Sequence, residues 1–86
     1  MSRARIVLDK CGMKPDLIAM IIDLVRENRM GAAWDLLRVK YPSYTDRVKL
    51  ATKAKYEYEH TSHIPNDDTS VLIERCLTYF HTMLEV

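Results

Sequence analysis

The chain has little with which to turn sharply: 2 glycines and 3 prolines in 86 residues. An all-β fold of this size needs a tight turn every few residues, so that scarcity disfavours one and favours helices. Cysteine is equally sparse. Cys11 and Cys76 stand far apart in the chain and form no CxxC pattern. A small secreted scaffold carries more cysteines, so the expectation is a reducing, cytoplasmic setting with both thiols free and inward-facing. No long apolar run exists either. Ile6-Val7-Leu8 is too short for the core of a signal peptide, and Leu17 to Ile22 is too short to span a bilayer. Charge of one sign is lacking as well. Thirteen basic residues against 12 acidic ones leave a formal charge of +1, so no global field draws the protein to nucleic acid or membrane.

What is present is apolar surface. At 48% hydrophobic residues the chain can offset its conformational entropy, so disorder is not expected. Its length suits a single helical domain over residues 1–86 with a limited core. No internal repeat or low-complexity stretch divides it.

Hydrophobic spacing predicts an all-α fold, a small bundle of four to five helices at about 2–11, 15–29, 31–41, 45–60 and 68–85. The first segment is ambiguous, because Ile6-Val7-Leu8 also suits a strand. Ala4, Val7, Leu8 and Cys11 nevertheless follow the helical template, and no other stretch supplies a strand partner. Ser2 suits the N-cap of this helix, Lys10 its last turn and Gly12 the left-handed residue beyond it.

From Pro15 to Asn28 runs the most hydrophobic segment. Leu17, Ile18, Met20, Ile21, Ile22, Leu24 and Val25 cover an arc of roughly 200° on a helical wheel, wider than the stripe of an ordinary surface helix. This helix is expected to touch at least two others and to be the one they pack around. Gly31 marks a break or tight turn. In the next helix Trp34, Leu37 and Tyr41 share one side, with Leu36 and Val39 on another. Trp34 reads as a core anchor, and Pro42 stops the helix. Thr45 is the expected N-cap of the fourth helix, whose inner side is Val48, Leu50, Ala51, Ala54 and Tyr58. Thr61 to Asn66 reads as a loop, and Asp67, Asp68 or Thr69 as the cap of the last helix. There Leu72, Ile73, Cys76, Leu77, Tyr79, Phe80, Met83 and Leu84 occupy an arc of about 160°.

No motif carries chemistry by itself. His60, His63, Cys76 and His81 include metal-ligating types. Cys76 and His81 diverge by roughly 140° on their helix, so no tetrahedral site is expected. Asn66-Asp67-Asp68 is too short for a calcium loop. A nucleophilic cysteine needs a base in reach, no glycine-rich phosphate loop exists, and so small a core leaves little room for a deep pocket. The chain is therefore expected to be non-enzymatic, with no catalytic residue, no metal and no cofactor.

Two surfaces are candidates. The first is the surplus apolar arc of the central helix and the second apolar side of the next, represented by Met20, Ile22, Leu36 and Val39. Uncovered apolar faces of this kind bind partners or second copies. The leading expectation is a protein that acts by binding another protein, as adaptor, regulator or inhibitor, and that also forms a homodimer. The second is a basic cluster, Arg38, Lys40, Arg47, Lys49, Lys53 and Tyr56, with Tyr41 and Tyr44 nearby. Cations neutralise phosphates and aromatic faces stack on bases, so the alternative is a small nucleic-acid-binding regulator. The helix–turn–helix outline over residues 32–58 would make Arg47 and Lys49 the base readers. Glu57 and Glu59, four residues beyond Lys53 and Lys55, work against this by pairing with them.

Overall fold

A computed structural model describes residues 2–85. Among them the chain is all-helical: α1 (Arg3–Lys10), α2 (Pro15–Arg26), α3 (Met30–Lys40), α4 (Tyr44–His60) and α5 (Asp68–Leu84), with no strand. The ambiguous first segment is a helix. Ser2 caps it by accepting a hydrogen bond from the Arg5 amide.

α1 and α2 end in the same way. Gly12 (φ 79°) and Asn28 (φ 59°) adopt the left-handed conformation that closes a helix. Each donates its amide to a carbonyl of the last turn, to Asp9 and Val25 respectively. The following amides, of Met13 and Arg29, reach back to Leu8 and Leu24. These paired reverse bonds satisfy carbonyls that a helix end otherwise orphans. Asn28 therefore lies outside α2, which stops at Arg26 and not at position 29. The chain is broken at Asn28, so Gly31 makes no break. It sits in the first turn of α3.

Pro42 stops α3 as expected, but the cap of α4 is Ser43 and not Thr45. The Ser43 hydroxyl accepts from the Asp46 amide, which starts the helix earlier and places Thr45 inside it. Asp67 caps α5, its Oδ1 accepting from both the amide and the hydroxyl of Ser70 at 2.8 Å. These bonds, the hydroxyl's first, hold the Asp67 carboxyl below the ordinary aspartate range.

Packing revises the expected hierarchy. α2 lies against α1, α3 and α5, which explains the breadth of its apolar arc, but α5 is the helix that touches all four others. Its wide face supplies Ile73, Cys76, Leu77 and Phe80 to the core. Trp34 anchors α3 against it, its ring 5.5 Å from that of Phe80. α4 contributes the small residues Ala51 and Ala54, both buried, which let α1 and α5 approach its backbone.

Two charged side chains enter this apolar assembly. Arg3 is buried at the α4–α5 junction, its guanidinium 3.8 Å from the centre of the Tyr58 ring. It donates to Thr61 Oγ1 at 2.9 Å, to Asn66 Oδ1 at 2.6 Å and to the Tyr58 carbonyl. Among the described residues no carboxylate pairs with it. Its charge is met by the C-terminal end of α4, whose dipole and free carbonyls favour a cation. Glu57 is buried on the inner side of α4, between Lys53 (3.3 Å) and Lys10 (3.9 Å).

Candidate functional site

α2 and α3 form a helical hairpin joined by the Asn28 turn, and a groove runs between their outward edges. α2 contributes Met20, Asp23 and Leu24, spaced i, i+3, i+4. α3 contributes Ala32, Asp35, Leu36 and Val39, spaced i, i+3, i+4, i+7. Each set is one edge of its helix, because side chains three and four apart lie over one another. Met20 is 44% exposed and Val39 73%. Leu24, Leu36 and Ala32 are half-buried and form the floor.

Of the four residues expected on an apolar surface, three meet here: Met20, Leu36 and Val39. Ile22 does not. It is 5% exposed and belongs to the core, because three helices pack round α2 and their combined cover takes in the Ile22 margin of the arc. Only the Met20 margin remains uncovered.

Sequence reasoning missed Asp23, Asp35, Leu24 and Ala32 as members of one site. Both aspartates are exposed at the groove's rim, one from each helix. Among the described residues no cation bridges to either. The helical spacing to Met20 and Val39 was the available signal. Which two edges face each other is tertiary information that spacing does not carry.

Members of the basic cluster line two different hollows. Arg38 and Arg47 line one with Asp35, Val39 and Pro42, and Lys49 and Lys53 line another with Cys11, Tyr41, Asp46 and Leu50. Arg47 is turned to a structural task. Its Nη1 donates to the Tyr41 carbonyl at 2.8 Å and the Pro42 carbonyl at 3.0 Å, closing the end of α3, and its guanidinium stands 5.5 Å from the Trp34 ring. That orientation overturns its expected place as a base reader. Lys53 is held by Glu57, as the spacing predicted. Tyr56 stacks on His60 at 3.8 Å, which covers one ring face. The Tyr44 hydroxyl donates to the Leu84 carbonyl at 2.8 Å. Lys40 is exposed at the end of α3. The helix–turn–helix outline is only sequential, since α3 packs on α2 and α5 and not substantially on α4.

Neither thiol is prepared for nucleophilic chemistry. Burial pushes Cys76 up to about 12, and burial together with the neighbouring Glu57 carboxylate pushes Cys11 up to about 11. Cys11 is half-buried, less enclosed than its pattern implied. The His60 Nδ1 lies 2.8 Å from the Tyr56 carbonyl. Among the described residues no three His, Cys, Asp or Glu side chains converge as metal ligands. Nor is any helix there long and apolar enough to cross a membrane. Comparison with known protein families, with curated proteins and with solved structures finds no match to this chain.

Proposed function

We propose that this chain is a non-enzymatic cytoplasmic module that acts by binding another protein, and that the groove between α2 and α3 is the surface it uses. One observation carries the reading. Apolar side chains from two helices converge on an open groove while polar groups stand at its rim. That arrangement, an apolar centre inside a polar border, is the anatomy of a protein-binding surface. Isolated exposed apolar residues are ordinary, but side chains gathered from two elements into one concavity leave a hydrophobic contact unmade. Such modules serve as adaptors, regulators or inhibitors. Self-association through the same face is the other occupancy the groove permits.

The test is comparative capture. The chain and two double variants, Met20→Glu/Val39→Glu and Lys49→Glu/Lys53→Glu, are used as bait in host lysate with and without nuclease. The reading predicts a captured protein that survives nuclease and the lysine reversals and is lost with the groove variant. Loss with the lysine reversals and with nuclease, and not with the groove variant, would establish nucleic-acid binding in its place.

A further inference from the structure

We infer that the groove takes an amphipathic helix whose apolar stripe is flanked by lysine or arginine. This rests on the protein-binding reading and adds the chemistry of the partner. The shape argues for a helix. The groove's walls are two packed helices, so its ridges repeat every three and four residues, and a third helix with anchors at i, i+3 or i+4 and i+7 interdigitates with them.

The charge argues for a basic one. Asp23 stands on the α2 wall and Asp35 on the α3 wall, and Met20, Leu36 and Val39 line the same groove. Neither carboxylate is neutralised by an ion pair among the described residues. Glu27, the C-cap of α2 and four residues beyond Asp23, extends the acidic edge, although it pairs with Arg29 at 3.3 Å. Asp35 and Val39 also line the adjoining hollow with Arg38, Pro42 and Arg47, so two guanidinium groups share that hollow with Asp35, but neither makes an ion pair with it. A ligand lying along the groove therefore meets a carboxylate on each flank. Cations at its own flanks would pair with both and acidic residues would be repelled.

The same rim argues against a second copy of this chain. A two-fold contact centred on the groove would set the carboxylates of one copy against those of the other.

The probe is a displayed library of helical peptides with a fixed leucine stripe and randomised flanking positions. It is panned on the intact chain, on Asp23→Asn/Asp35→Asn and on Met20→Glu/Val39→Glu. All substituted residues are exposed, and circular dichroism confirms that each variant is folded. The inference predicts enrichment of Lys and Arg at the flanks on the intact chain. Binding of the selected peptides falls about five- to tenfold on the Asn variant, in the range expected for two rim pairs, and the loss shrinks at high salt. No binding remains on the Glu variant. Selected peptides with neutral or acidic flanks that still need Met20 and Val39 would overturn the basic-partner inference and leave the protein-binding reading standing. No enrichment, or enrichment indifferent to Met20→Glu/Val39→Glu, would overturn both. Sedimentation as a dimer that Val39→Glu dissociates would assign the groove to a second copy and also overturn the inference.

Discussion

Single residues in this molecule take roles that their type does not announce. Arg3 is the clearest case. A guanidinium near the start of a chain reads as a solvated charge, yet here it ties α1 to the end of α4 and to Asn66 through neutral acceptors. Nothing in the spacing marks it, because its partners lie more than fifty residues away, in the last turn of α4 and the loop after it, whose positions depend on the fold. Arg3→Met keeps much of the side chain's apolar stem but removes three hydrogen bonds, one of them to the buried Thr61 hydroxyl. It is expected to destabilise the fold by about 1–3 kcal/mol in urea titration, with no change in binding at the groove. The thiols allow a second check. With Cys76 fully buried and pushed up to about 12, and Cys11 pushed up to about 11, both should react far more slowly with Ellman's reagent at neutral pH than in denaturant. Cys11 should be the faster of the two, because it is only half-buried.

The helices themselves were legible where their signals are local. Ser2, Gly12, Pro15 and Pro42 marked ends or starts that the structure keeps, because capping and proline geometry depend on neighbours within one turn. Gly31 misled for the same reason. Glycine is the usual left-handed residue, but asparagine tolerates that conformation too, and Asn28 adopts it first. The serine-for-threonine exchange at the α4 cap is a choice between two equally suitable hydroxyls two residues apart. At the α5 cap a pH test is available. Asp67 has a folded pKa depressed by Ser70, so its contribution to stability is complete above the ordinary aspartate value and is lost as pH falls through the lower folded value. Asp67→Asn keeps the cap acceptor without the titration. Between pH 5 and pH 2 the variant's melting temperature should fall less than that of the parent chain.

At the level of the whole molecule the all-helical architecture was readable from periodicity, whereas the neighbour relations were not. α2 has the most hydrophobic sequence, but α5 is the hub, since it packs against all four other helices and α2 against three. Three of the seven residues of the candidate site were likewise readable. Met20, Leu36 and Val39 were visible as surplus apolar residues. Ile22 was assigned with them because a wheel cannot say which margin of an arc its neighbours cover. The aspartates that give the groove its charge look, in sequence, like any solvated edge.

The groove's depth provides a prediction at this scale that leaves charge untouched. Ala32→Leu places a larger side chain on the floor of the α2–α3 groove. The residue is half-buried in an outward helical position, so stability should change by less than about 1 kcal/mol while partner binding is lost. The most direct measurement combines this with position-specific photocrosslinking in the cells that express the protein. A photoreactive side chain is placed at Val39 in one experiment and at Lys49 in another. The account predicts an adduct from Val39 whose mass differs from twice the 10.1 kDa of the chain, which disappears in the Ala32→Leu background and persists with Lys53→Glu. An adduct from Lys49 alone, or one from Val39 that Ala32→Leu leaves unchanged, would contradict it.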